Sequence, residues 1–146
     1  MRRAWFAAAV AVLISLRADP PELNAFYPVG AALGTTMGVT ISGKTEPWPP
    51  KFWSDPPGLI FTPTTNKNKV LFEIPNNIAP GPRLIRIYNS DGISDARFFV
   101  AGQGRELIDT EPNNRASEAQ DPGALPVTIS GRLDKNDDVD DFKGDF

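Results

Sequence analysis

Residues 36–42, Thr36-Met37-Gly38-Val39-Thr40-Ile41-Ser42, decide the fold. Met37, Val39 and Ile41 fall on one side of an extended chain, and Thr36, Thr40 and Ser42 on the other. That period of two marks a half-buried strand, not a helix. The pattern recurs downstream. Val70, Phe72 and Ile74 alternate with Leu71 and Glu73; Ile85 and Ile87 flank Arg86; Ala96, Phe98 and Val100 alternate with Arg97 and Phe99. The expected core is therefore Met37, Val39, Ile41, Val70, Phe72, Ile74, Ile85, Ile87, Phe98 and Val100.

Turn chemistry separates these runs. Gly30 and Gly34, Pro47 to Pro50, Pro56-Pro57-Gly58, Asn66 to Asn68, Pro75-Asn76-Asn77 and Pro80-Gly81-Pro82 punctuate the chain, and Asn89-Ser90-Asp91-Gly92 is the clearest hairpin signal among them. With 15 prolines in 146 residues, no long helix is expected after the N-terminal segment. About seven short strands at this spacing predict an all-β sandwich.

The ends of the chain differ in charge. Residues 106–146 hold 11 Asp and Glu against 4 Lys and Arg, whereas residues 19–105 hold 7 acids against 8 bases. A local acidic excess argues against a nucleic-acid surface, which needs clustered cations to displace the counterions of phosphate. The chain has no Cys and no His. That removes Ser-His-Asp and Cys-His nucleophile pairs, ordinary zinc sites and disulfides, so stability must come from a core, a metal or neighbouring domains.

At the N-terminus Arg2-Arg3 precedes an apolar run from Ala4 to Leu16, followed by Arg17-Ala18-Asp19-Pro20. A positive start, a short hydrophobic stretch and a small residue before a polar one read as a cleavable signal peptide over 1–18. The run is short for a membrane span, which needs about 20 apolar residues. A secreted, cell-surface or periplasmic protein is expected, with no membrane contact after cleavage.

Two oxygen-rich clusters bracket one expected strand in the last third. Glu111-Pro112-Asn113-Asn114 lies before it, and Gly131-Arg132-Leu133 leads on to Asp137-Asp138-Val139-Asp140-Asp141-Phe142. Loop carboxylates brought together from such positions could surround one hard cation. The other reading is an Asx-type turn at Glu111 to Asn114 and a solvated Asp run. A strand expected to begin near Val139 finds no partner in the remaining residues, which reads as a second domain cut short.

Two stretches resemble known families. Pro21-Glu22-Leu23, Tyr27-Pro28-Val29-Gly30 and Gly34-Thr35-Thr36-Met37-Gly38-Val39-Thr40-Ile41-Ser42-Gly43 look like the opening of an immunoglobulin-like IPT/TIG domain. Phe72-Glu73-Ile74-Pro75, Ile85 to Asn89 and Asp91-Gly92-Ile93-Ser94 through Phe98-Phe99-Val100 resemble its last three strands. The Pro- and aromatic-rich run from Trp48 to Trp53 departs from that pattern. Further on, Glu111-Pro112-Asn113-Asn114, Gly131-Arg132-Leu133 and Asp138-Val139-Asp140-Asp141-Phe142 resemble the bacterial pre-peptidase C-terminal domain, with Asp137 where that family has Gly. These resemblances imply a signal peptide at 1–18, an IPT/TIG-type β-sandwich at 19–101, a linker at 102–110 and the incomplete start of a second β-sandwich at 111–146. In relatives such as the collagen-binding modules of bacterial collagenases this region holds calcium. Carried over, the Ca²⁺ candidates are Asp109, Glu111, Asn113, Asn114, Asp138, Asp140 and Asp141.

The implied function is a non-catalytic extracellular module, an immunoglobulin-like spacer plus a substrate- or matrix-binding sandwich. Its partner would be an extracellular polymer, protein or carbohydrate, or other domains of the same polypeptide. The alternative is the N-terminal accessory region of a larger secreted protease. Trp48, Phe52, Trp53 and Phe61, set among prolines, either form an exposed aromatic platform or cover one end of the sandwich.

Overall fold

The computed structural model describes residues 19–133 and 135–144. The expected signal peptide, 1–18, lies outside them. Every element among the described residues is a strand: β1 (Ala25–Tyr27), β2 (Gly30–Ala32), β3 (Thr35–Ser42), β4 (Lys51–Asp55), β5 (Ile60–Pro63), β6 (Lys69–Ile74), β7 (Gly81–Asn89), β8 (Gly92–Ile93), β9 (Arg97–Gly102), β10 (Arg105–Ile108) and β11 (Val127–Ser130). One sheet has the order β1-β3-β6-β5, and the other has the order β2-β9-β7-β4 with β8 paired to β7. The chain is thus an all-β sandwich, followed by a small parallel pair formed by β10 and β11.

Alternation places the core where the period of two requires it. Val39 and Ile41 of β3 and Val70, Phe72 and Ile74 of β6 are buried against Ile85 and Ile87 of β7. Phe72 is the hub. Its ring lies edge-on to Phe26 at 5.5 Å, Phe61 at 4.8 Å and Phe52 at 6.2 Å, with Phe99 tilted at 5.0 Å, geometries that the aromatic quadrupole favours. Phe52 stacks on Phe61 at 4.9 Å, and Trp48 packs on the core while its Nε1 donates to the Thr64 carbonyl at 3.1 Å. The Pro-rich aromatics therefore divide. Trp48, Phe52 and Phe61 close the core, and Trp53, next to Phe52 on β4, points the other way and is 44% exposed.

Strand β9 runs in the opposite phase to the expected one. Phe99 and Ala101 are buried, whereas Phe98 is 66% exposed and Val100 40%. The quartet Phe98-Phe99-Val100-Ala101 is apolar in both phases, so its own pattern cannot choose a face. The register with β7 chooses it instead: Leu84 pairs with Phe98 and Arg83 with Phe99, and Ile85 and Ile87 already set which side of β7 faces inward. Arg83 consequently points inward at the end of the strand. Its guanidinium donates to the carbonyls of Pro56 at 2.8 Å, Pro57 at 3.2 Å and Ala79 at 2.5 Å, tying the proline loop to the sandwich.

The hairpin expected at Asn89–Gly92 is present. Asn89 pairs with Gly92 across Ser90-Asp91, and the Asn89 side-chain oxygen accepts from the N–H groups of Asp91 at 2.8 Å and Gly92 at 3.1 Å. At the other end of the sandwich, residues 105–108 of the stretch 102–110 form β10, which pairs in parallel with β11, and Asp109 N–H extends that ladder to the Ser130 carbonyl at 3.0 Å. No strand begins near Val139. The Asp-rich run passes as an irregular loop into a single bridge between Gln120 and Phe142.

Candidate functional site

The site is assembled at the open end of the β10–β11 pair. Asp109 directly follows β10 and Gly131 directly follows β11, so the parallel register sets them side by side. A Cβ placed on Gly131 would lie 2.6 Å from Asp140 Oδ2 and 3.8 Å from the Asp109 Cβ, so the missing side chain at residue 131 leaves room for the Asp140 carboxylate in this position. Glu111 completes the group. One oxygen from each of Asp109, Glu111 and Asp140 lies within 4.8 Å of the other two.

Loop hydrogen bonds explain why these three meet. Glu111 Oε2 accepts from the Asn113 N–H at 3.1 Å and from Asn114 Nδ2 at 3.1 Å, which closes the Glu-Pro-Asn-Asn turn. The two distant segments are then laced together: Asp141 N–H donates to the Asn113 carbonyl at 3.0 Å, and Val139 N–H donates to Asn114 Oδ1 at 3.1 Å. Gln120 adds a third tie, donating its N–H to the Asp141 carbonyl at 3.0 Å and accepting Thr110 N–H through Oε1 at 3.0 Å. The turn reading and the convergence of clusters thus coexist in one loop.

Asn113 is the interior of this tail. It is completely buried, and its Nδ2 donates to Asp109 Oδ1 at 2.5 Å. Its Oδ1 accepts no hydrogen bond from any described residue. A buried amide oxygen without a donor is costly, by about 1–3 kcal/mol, and is a ready ligand for a hard cation. The carboxylates point the same way. Like charges 4 Å apart repel by about 1 kcal/mol in water and about 4 kcal/mol near a protein surface, a cost that a bound cation reverses.

Of the seven candidates read from the sequence, Asp109, Glu111 and Asp140 are brought together, and Asn113 lies in contact with Asp109. Asn114 has its side chain engaged by Glu111 and Val139. Asp138 lines an adjacent cleft of about 350 Å³ with Glu111, Pro112, Asn114 and Lys135, outside the three-carboxylate group. Asp141 takes part through its backbone. Asp137, where the resembled family has Gly, has a φ of 67°, the left-handed conformation that Gly adopts freely and Asp tolerates better than most residues.

Composition could not reveal Glu106. Both its carboxylate oxygens are enclosed and accept no hydrogen bond from any described residue. The side chain lies against the sandwich where glycines make room: a Cβ on Gly102 would stand 2.8 Å from Glu106 Oε1, and one on Gly30 would stand 3.8 Å from it. Desolvation raises its pKa above the ordinary glutamate range. Elsewhere, the Arg132 guanidinium lies 5.3 Å from the centre of the Tyr27 ring, a second contact of tail with sandwich.

No protein-family model matches the chain, and no curated protein matches it. Among solved structures, the chain is similar to a γ-CGTase from alkalophilic Bacillus clarkii, at 22% identity and a TM-score of 0.46. The likeness covers 69% of this chain, which spans 16% of the enzyme's.

Proposed function

We propose that this protein is a non-catalytic extracellular module, an immunoglobulin-like spacer of the IPT/TIG type carrying an acidic tail of the pre-peptidase C-terminal type that holds Ca²⁺. The convergence of Asp109, Glu111 and Asp140 beside the buried amide of Asn113 carries this reading. All four supply hard oxygen donors, which suit calcium and not a soft or borderline metal. Gly131 supports the fit, because a side chain there would crowd Asp140 Oδ2 and make the carboxylate shift. In this reading the ion braces loops that extend from a rigid sandwich, and the partner is an extracellular polymer or another domain of the same polypeptide.

The absence of His and Cys from the sequence supports a binding role over hydrolysis. The signal-like start supports export and work outside the cytoplasm. Isothermal titration of the full chain tests the metal directly. We expect one saturable Ca²⁺ per chain, lost in Glu111→Gln and in Asp140→Asn and not displaced by equal Mg²⁺. No saturable Ca²⁺ binding would leave the tail as turn chemistry alone. Fractionation of cells expressing the natural gene tests the location, and retention in the cytosol would contradict it.

A further inference from the structure

The outer face of the second sheet carries a feature that a spacer does not need. Antiparallel pairing sets Trp53 opposite Arg86, and Lys51 opposite Tyr88, which in turn pairs with Ile93. Partners in such pairs project to the same side, so these five residues share one outward face. Trp53, Arg86, Tyr88 and Ile93 line a cleft of about 330 Å³, and the two hydrophobic residues, Trp53 and Ile93, are 44% and 54% exposed.

We propose that this cleft binds an acidic polysaccharide, with a sugar ring against Trp53 and Tyr88 and its carboxylate toward Arg86 and Lys51. Three observations select that occupant. The aromatic rings offer flat π surfaces to the apolar C–H face of a pyranose, and a cleft of this size is at the low end for a small-molecule site, about 300–1,000 Å³, which suits one ring at a time. The charges on the cleft are positive although the chain as a whole carries −3. Arg86 is also preorganised: its Nη1 donates to the Ser94 carbonyl at 2.6 Å, which fixes the guanidinium, and its remaining N–H groups have no partner among the described residues. Lys51 Nζ stands 5.9 Å from the centre of the Tyr88 ring, at the rim of the same cleft. Asp55, two residues after Trp53 on β4, projects to the same outward face beside the cleft without lining it, and Asp91, at the tip of the β7–β8 turn, does not line it either.

This inference rests on the extracellular-module reading and adds to it a ligand site on the sandwich, away from the acidic tail. Affinity electrophoresis and titration of the full chain against polygalacturonate test it, with dextran as the neutral sugar and poly-L-glutamate as the acidic non-sugar. Polygalacturonate should bind saturably and more weakly as NaCl rises, while dextran and polyglutamate bind at least tenfold more weakly. Arg86→Gln should weaken binding by about tenfold or more, the range of a charge-assisted hydrogen bond, and Trp53→Ala, which removes the ring that the sugar packs on, by about tenfold. Since Arg86 also holds Ser94, Lys51→Gln is the companion variant. It breaks no hydrogen bond of the fold and should give a smaller loss in the same direction. Equal binding of dextran would remove the role of charge, equal binding of polyglutamate would remove the sugar, and an unaffected Trp53→Ala would remove the cleft. Glu111→Gln should bind polygalacturonate normally. A chain that is exported and binds Ca²⁺ but no polygalacturonate defeats this inference alone, whereas one retained in the cytosol defeats the module reading whatever it binds.

Discussion

The sandwich and the tail are held by opposite means. Up to Ala101, the buried interior is a continuous apolar core centred on Phe72, with Thr45, Arg83 and Ser94 as its buried polar members. Among the described residues beyond Ala101, the buried polar side chains are Asn113 and Ser130, and none belongs to the apolar core cluster. The tail keeps its shape through the β10–β11 ladder and the lacing of Asn113 and Asn114 to the Asp loop, against the repulsion within the group of three carboxylates. Burial of apolar surface is non-directional and offers a cation no ligand, whereas a polar interior is satisfied only if every donor and acceptor is met. The two regions should therefore answer to different perturbations.

Phe72→Ala should show the largest effect. It removes a ring in contact with four others and leaves a cavity, at a cost of about 3–5 kcal/mol, read as a lower urea midpoint for the sandwich. A loss below 1 kcal/mol would mean that the core is not centred there. Asn113→Ala should cost less, about 1–3 kcal/mol, because it frees Asp109 Oδ1 and empties the interior of the tail. Its mark would be faster amide exchange over 105–142, with the protection of β3, β6 and β7 unchanged. Loss of protection throughout the chain would show one cooperative unit and break the contrast.

The smallest effect concerns Glu106, at the seam between the regions. Its raised pKa means that the folded state holds this proton more tightly than the unfolded state. The associated stability is fully present below the unfolded value, near 4.5, and is lost as pH rises through the folded one. Glu106→Gln keeps the shape without the titration, so it should be stabilised relative to the parent at pH 7 more than at pH 4. An identical pH profile for the two proteins would place the carboxyl in water.

How much of this could be read from the sequence follows from the same contrast. Strands β3, β6 and β7 were legible because Val39 and Ile41, Val70, Phe72 and Ile74, and Ile85 and Ile87 recur with a period of two, which specifies a face even though Leu71 lies on the outer side and Arg83 points inward. Strand β9 was not, because four apolar residues in a row leave its phase to β7. In the tail, the residue types of the candidate site were legible but their selection was not. Asp138 and Asp140 have equal claims by spacing. The difference arises from the Asp138 N–H on the Lys135 carbonyl at 3.3 Å and the Val139 N–H on Asn114, which orient the loop, and from the space at Gly131 that Asp140 occupies. Glu106 gave no signal as an enclosed group, since nothing in the sequence shows that its carboxylate will fold back over the nearby Gly102. Trp53 was visible as one aromatic among several, and only the phase of β4 separates it from Phe52.

Hydrogen exchange of the full chain with and without Ca²⁺ tests the central claim most directly, that a hard cation completes the polar tail while the sandwich stands by itself. Binding at a hundred times the dissociation constant stabilises by about 2.7 kcal/mol, which corresponds to roughly a hundredfold slower exchange through global opening of the tail. We predict that slowing for amides of residues 105–142 with Ca²⁺, no change in β3, β6 and β7, and loss of the effect in Glu111→Gln. Equal slowing by Mg²⁺ or NaCl at matched ionic strength, or a tail equally protected without Ca²⁺, would contradict the account.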